Sequence, residues 1–515
     1  MKLTIQRTIY LLATMVLLTT AGCNKFLEEQ DPSNLSTDIY YTLSEHAEAG
    51  IAAAYAQQRF ISAGAGIFVQ NYSMLEAVTG TAKTETGQNS DLNNLFGMVH
   101  NGDNLLIRNW WNGLFNVIAQ TNLVLDRVPP INPMDEALKK KVLGEARFLR
   151  AWAYFYLVQL WGDVPLTLTP VLDGNHPDFY PPRTGTEAVY TQIIADLQEA
   201  ENAGLSWTDP SGRASLGAVK SLLAKVYLAM AGFPLQKGAS HYALAAAKAN
   251  EVIGSSQFSL FQSYSDLHKV SMENRGEHIF EIQYLASVAN ANGFQQTMLP
   301  NFKNVSAFND EIGSTVPAPE FYNSYEPGDR RTLDRVGLFY THYYDGGNGA
   351  LKDLSAPYIY KHFDSLAHGT SGVAGTNQSD LNWPQLLYSD ILLVYAEASN
   401  EAVAGGPDAV AYKALADIRS RAGLTTPGAG TFSQAGFREA VWKERWYELC
   451  YNGITWFDMV RLRKAWNMTT RSFDEFVGYN FPNDAATLEQ KHLLFPIPTE
   501  EIRNNPNLRP QNPGY

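Results

Sequence analysis

Two cysteines in 515 residues, Cys23 and Cys450, are too few for a disulfide framework or a cysteine-based metal site. Cationic side chains are scarce too: 39 Lys and Arg face 52 Asp and Glu, a formal charge of -13 at pH 7. Nucleic-acid phosphates and anionic lipid surfaces both call for clustered Lys and Arg, so the charge balance argues against nucleic acid and against a polybasic membrane patch. No G-x-S-x-G elbow, H-E-x-x-H helix, P-loop or G-x-G-x-x-G after a strand occurs. The ten histidines are scattered, and His362 and His368, close together outside the helices, form no ligand pattern. The expectation is a chain without a cofactor, without a metal site and without enzymatic activity.

Long hydrophobic runs are missing as well. A bilayer core takes about 20 apolar residues, whereas the run at residues 9–18 is about half that. Later greasy stretches such as residues 146–161 are interrupted by charges and amides. The N-terminal run, preceded by Lys2 and Arg7 and followed by small residues up to Cys23, reads as an export signal over residues 1–22. Residues 23–43 then read as a polar, flexible tether, and residues 44–515 as a single domain. Cys450 sits in the helical pattern "WKERWYELCYNG". A Cys23–Cys450 disulfide would need the N-terminus to fold back onto that helix, so an unpaired buried thiol is expected.

What the chain does contain is helical periodicity, and the fold class expected is mainly α with little strand. In "EARFLRAWAYFYLVQLWGDVPL", apolar residues occupy two adjacent helix faces, so this helix is sandwiched between others; Gly162 caps it and Pro165 prevents resumption. "AVKSLLAKVYLAMAG" with "YALAAAKANEVIGSS", and "LLYSDILLVYAEASNEA" with "AVAYKALADIRSRAGL", look like two copies of one helix pair. Tyr227 to Ala246 and Tyr395 to Ala414 are equally spaced, which is the logic of tetratricopeptide-type repeats of about 34 residues. Ordinary antiparallel helix pairs would also show that spacing. The helical scaffold is placed mainly at residues 105–254 and 384–465. Residues 437–452 read as a helix closed by Asn452-Gly453, and Thr455 with Asp458 as the capping box of the next. The proline-rich end, residues 490–515, reads as an extended tail without helix.

Two irregular regions, residues 61–104 and 255–383, carry Gly, Asn, Ser and aromatics, with one clear strand at "EHIFEIQY". Their aromatic content argues against disorder, and long irregular stretches in compact domains tend to be functional. Sugars present apolar C–H faces between hydroxyl belts, so a sugar site combines flat rings with amide and carboxylate partners. The first loop region offers Tyr72, Asn89, Asp91, Asn93 and Phe96. The insertion offers Phe294, Gln295, Phe308, Tyr343, Tyr344 and Trp383. For each ring, burial against the helices is the competing reading; Trp110 and Trp111, in a periodic helix, are assigned to the core. Glu444 and Glu448 share a helix face with Lys443 and Arg445 beside them and Arg461 following. They read as a helix-tying ion-pair network rather than an acid/base pair. Asp345 in "YYDGGNGALKD" is acidic and Gly-rich but lacks the spacing of a calcium loop.

Five segments in order, "GCNKFLEEQDPSN", "EARFLRAWAYFYLVQLWGDVPL", "YSDILLVYAEASNEA" with "LADIRSRAGL", "WKERWYELCYNGITWFDMVRLRKA" and "LLFPIPTEEIRNNPNLRPQNPGY", resemble the SusD/RagB family of Bacteroidota outer-membrane lipoproteins along almost the whole chain. The resemblance implies a tetratricopeptide-like helix-pair scaffold with a long, loop-rich ligand-binding insertion. It implies a lipid on Cys23, anchoring the protein in the outer membrane and facing the cell surface. It further implies capture of oligosaccharide and capping of a TonB-dependent SusC-like transporter, without covalent chemistry. An oligopeptide-binding RagB-like lid and a non-catalytic protein-interaction scaffold are the alternatives. One departure concerns the anchor: Thr20 stands where lipoprotein signals carry Leu, while the acids after Cys23 resemble surface-export signals.

Overall fold

The computed structural model describes residues 40–66, 68–288, 290–482 and 486–515. The signal segment, Cys23 and tether residues 23–39 lie outside them. Among the described residues, ten helices of eight or more residues carry the fold: α1 Ser44–Gln57, α2 Leu105–Arg127, α3 Glu136–Trp161, α4 Thr186–Glu201, α5 Leu216–Ala231, α6 Ala239–Gly254, α7 Tyr388–Ala402, α8 Ala409–Arg421, α9 Gln434–Glu448 and α10 Thr455–Leu462. Successive helices pack side by side from α1 through α6; α6 then packs on α7, and α7 on α8 and α9.

Helix α3 explains the density of the centre. From Phe148 to Trp161 only Tyr156 and Gln159 escape full burial, as befits a helix that is apolar on more than one face. Asp135 Oδ1 accepts the Leu138 N–H at 2.8 Å to start it. Gly162, at φ 73, ends it by donating its N–H to Val158 O. Both helix pairs form as expected. Because Ala245 and Ala249 are fully buried on α6, and small side chains permit close helix approach, the two pairs touch although residues 255–387 separate them in sequence.

That separating insertion returns to where it left. Strand β2 (His278–Ile282), the strand expected from the sequence, pairs antiparallel with β6 (Trp383–Leu387), His278 opposite Leu387 and Ile282 opposite Trp383. The insertion is thereby closed at its base against α5. Between them, β4 (Phe339–Tyr344) and β5 (Leu351–Ile359) form a hairpin over a second small core containing Leu299, Val305, Tyr340, Tyr358 and Phe363. Strand β1 (Ala82–Lys83) pairs with β3 (Val316–Pro317), stitching the first irregular region to the insertion.

Three local expectations are corrected. Asp458 does not cap α10, whose N-cap is Ile454 without a side-chain bond; its carboxylate is taken by Arg445 Nε and Arg461 Nε, each at 2.8 Å. Helix α9 ends at Glu448, before Asn452-Gly453. The C-terminal tail contains one α-helix, Thr499–Asn504, between two 3-10 turns, Gln490–Leu493 and Pro506–Leu508. Its prolines flank rather than interrupt it: Pro498 occupies the N-cap and Pro506 follows the end, positions where a missing N–H removes no helical bond.

Candidate ligand-binding basin

Where β1, the short helix Ser90–Phe96 and the start of the helix Pro319–Asn323 converge, they enclose a depression of about 490 Å³ lined by Lys83, Thr84, Asn93, Phe96, Pro319 and Glu320. Its parts are held by local chemistry. Asn89 caps the short helix, accepting the Leu92 N–H at 2.9 Å, and donates from Nδ2 to Ala65 O at 3.1 Å. Asn93 Nδ2 donates to Gly87 O at 3.0 Å. Lys83 is fixed by its backbone pairing with Val316 and lines the basin. Glu320 Oε2 is buried without a hydrogen-bond partner among the described residues, an acceptor that a ligand hydroxyl could satisfy.

On the loop that Glu85 holds through Asn301, a ring is displayed to water. Phe302 is 81% exposed and adopts φ 50, a left-handed conformation that is uncommon for a bulky side chain. Its loop is braced from several directions. Glu85, next to Thr84, accepts the Asn301 N–H at 2.9 Å; Glu311 accepts the Asn304 N–H at 2.6 Å and the Ser306 N–H at 3.0 Å. Lys352 donates to Lys303 O at 2.6 Å, and Asn304 Nδ2 donates to Asp345 at 2.8 Å. Burial pushes the Glu311 carboxyl up despite those N–H donors. Strain over-determined by surrounding bonds is a mark of functional positions.

The expected site residues divide sharply. Asn93 and Phe96 line the basin, Phe96 with only 7% of its surface exposed. Asn89 is a structural cap, and Asp91 is half-buried with its carbonyl accepting Asn104 Nδ2. Tyr72, Phe294 and Trp383 meet one another instead, with centroids 4.1 to 4.9 Å apart, and each is at most 2% exposed. As open stacking platforms these three are corrected: they form the hydrophobic joint between loop and insertion, with Tyr72 donating to Tyr451 O at 2.7 Å. Gln295 is buried, accepting the Asp364 N–H. Tyr343 is buried against Tyr340 and Phe363 and donates to Gly369 O. Tyr344 is half-buried beneath the Arg335 guanidinium, and Phe308 is half-buried in its own turn. Phe302 was missed; its signal lay in the polar "PNFKNV" turn, where a lone Phe between Asn and Lys has no apolar neighbour in sequence.

The carboxylates weighed for catalysis are committed elsewhere. Glu444 accepts from Arg331 at 2.6 Å and Arg419 at 3.1 Å; Glu448 accepts from Arg421 at 2.7 Å and Arg331 at 3.2 Å. Burial alone would raise the Glu448 pKa, but Arg421 and Arg331 hold it below the usual range. The network expected from the sequence is present, yet its cations are these arginines, while Arg445 pairs with Asp390 and Asp458. Asp345 is held at about 2 by the Gly347 N–H, Lys352 and Asn304. Among the described residues no group of three His, Cys, Asp or Glu side chains is arranged to hold a metal ion, and no helix is long and apolar enough to cross a membrane.

Comparison with known proteins adds the following. A model of the SusD family matches residues 332–515, and a model described as starch-binding associating with outer membrane matches residues 25–228. A SusD superfamily protein of known crystal structure from Parabacteroides distasonis is 36% identical, with a TM-score of 0.86 over 94% of this chain and 100% of its own. SusD-like protein P2 of Formosa agariphila is 26% identical over 97% of this chain and 98% of its own. A solved laminarin-binding SusD-like protein, 24% identical, shares the fold with a TM-score of 0.73 over 92% of this chain and all of its own.

Proposed function

The chain belongs to the SusD superfamily, and from that premise we propose that it is a non-catalytic, cell-surface glycan-binding lipoprotein that captures oligosaccharide and caps a TonB-dependent SusC-like transporter. The observation that carries the ligand assignment is the basin, together with the exposed Phe302 on the loop that Glu85 braces. Asn93, Thr84, Lys83 and Glu320 offer donors and acceptors for hydroxyl groups, and Phe302 offers an open face for sugar C–H groups. Arg331, Arg419 and Arg421 neutralise Glu444 and Glu448, which supports binding without turnover.

Membrane attachment rests on Cys23, and the description of the matched family as associating with the outer membrane supports it. Anchoring beside a transporter raises the effective ligand concentration, so affinities of about micromolar to millimolar suffice. Isothermal titration of a glycan panel tests the ligand. Saturable binding that falls in Asn93→Ala and Phe302→Ala supports the reading, and binding of peptides but no glycan ends it. Mass spectrometry of the membrane fraction tests the anchor: an unmodified Cys23 on soluble periplasmic protein removes it. Co-purification with the outer-membrane transporter tests the capping role.

A further inference from the structure

We propose that the protein carries a second carbohydrate-binding surface, built where α2, the α3–α4 connection and the C-terminal segment meet, with Phe179 and Tyr180 as its stacking faces. It shares no residue with the basin above and stands on separate observations. A depression of about 470 Å³ lies there. Its floor is Trp111 and Phe115, four residues apart on α2 with ring centroids 5.0 Å apart. Its wall is Phe179 and Tyr180, which are 43% and 52% exposed and meet edge to face at 4.7 Å.

These rings are displayed by construction. Asn507 Nδ2 donates to Tyr180 O at 2.7 Å, and Asn505 Nδ2 donates to Pro181 O at 2.8 Å. The backbone is thus tied to the C-terminal segment while the rings stay in water. Around them, Asn112 and Asn116 project from the stripe of α2 next to Trp111 and Phe115, and Asn504 projects from the opposite side. Each amide can donate and accept, and among the described residues no hydrogen bond occupies these three side chains. The lone charged group lining the depression is Glu501, whose pKa burial raises, with Glu500 adding to the effect. Arg108, near Glu501, is already paired with Glu500 at 3.0 Å, and a lining of rings, amides and one carboxylate suits a neutral polyhydroxylated chain better than a phosphate, an acidic glycan or an acidic peptide.

A second weak site changes the response to long ligands. A polysaccharide that engages both surfaces gains avidity, whereas a short oligosaccharide held in the first basin does not. The full chain, F179A/Y180A, F302A and the combined variant are run in native gels containing soluble starch, laminarin or galactan, with circular dichroism confirming the fold. The expected result is that F179A/Y180A weakens polysaccharide retardation at least about fivefold while short-oligosaccharide affinity by calorimetry stays unchanged, and that the combined variant loses both. Retardation equal to wild type in F179A/Y180A overturns the second surface and leaves the first basin standing. Undiminished retardation with loss of transporter co-purification makes this face a protein interface and likewise overturns it. Wild-type protein retarded by none of the gels overturns both assignments together.

Discussion

Arg331 Nη1 stands 2.6 Å from Glu444 Oε1, with each side chain 1% exposed, and this contact joins the irregular insertion to scaffold helix α9. The same guanidinium reaches Asp329 at 2.7 Å and Glu448 at 3.2 Å, while Arg421 links Glu448 to Glu277 at the foot of β2. Buried ions must leave water, so a pair of this kind is stabilising only when each lone pair and proton is matched. Here carboxylates and arginines from distant segments pair with one another, leaving the buried Nε atoms of Arg419 and Arg421 without a partner among the described residues, and the pairs hold the loop-rich half in register on the helices.

Removing Arg331 leaves Asp329 and Glu444 as buried charges with fewer partners. Arg331→Met is therefore expected to lower unfolding free energy by about 3–5 kcal/mol, read from urea denaturation midpoints. A loss below about 1 kcal/mol would mean that water replaces the guanidinium at little cost.

Exposed and buried aromatics should behave oppositely. Phe302→Ala is expected to change stability by no more than about 0.5 kcal/mol while lowering glycan affinity. Trp383→Ala is expected to cost about 3–5 kcal/mol and to reduce binding only in proportion to the unfolded fraction. Calorimetric titration alongside thermal melts separates them. A Trp383→Phe chain of wild-type stability that no longer binds would contradict the purely structural role of this ring.

Burial, with Glu281, Asp364 and Asp380 nearby, lifts Glu273 to about 8, although it accepts the Asn382 N–H at 2.7 Å. Burial likewise lifts Glu76 and Glu145 to about 7. A carboxyl raised in the folded state contributes stability that is complete below its unfolded pKa of about 4.5 and is lost as pH rises through the folded value. His268, lowered by burial to about 4, acts in the opposite sense, but only below its unfolded value of about 6.5. Between about pH 6.5 and pH 8 the melting temperature is therefore expected to fall, and Glu273→Gln should flatten that decline. An unchanged slope in the variant would remove Glu273 from the account.

Cys450 is fully buried, and burial pushes its thiol up to about 11. In a Cys23→Ala chain the remaining thiol is expected to resist a disulfide reagent in native buffer and to react at the rate of unfolding. Prompt stoichiometric labelling would show an opening near Tyr447 and Tyr325, the groups that contact its sulfur.

Much of the scaffold was legible because helix formation is local. The apolar spacing in α3, α5, α6, α7 and α8, and the glycine after Trp161, contain their own instructions. Legibility failed where a side chain had competing partners. Asp458 had the right spacing for a cap, but Arg445 and Arg461 are stronger partners for a buried carboxylate than a backbone N–H. It failed again for the rings, since Tyr72, Phe294 and Trp383 are far apart in sequence and bury one another only once β2 and β6 have paired.

By itself the sequence determined the helical scaffold, its repeated pair, the family resemblance and the acidic, cysteine-poor character that argues against nucleic acid, because periodicity, order of motifs and charge are properties of the chain alone. Only the tertiary structure decided which aromatics face water. Exposure is set by what lies across from a residue: Phe302 is 81% exposed, Phe179 and Tyr180 meet only edge to face and keep about half their surface in water, whereas Trp383 is met by Tyr72, Phe294 and His362.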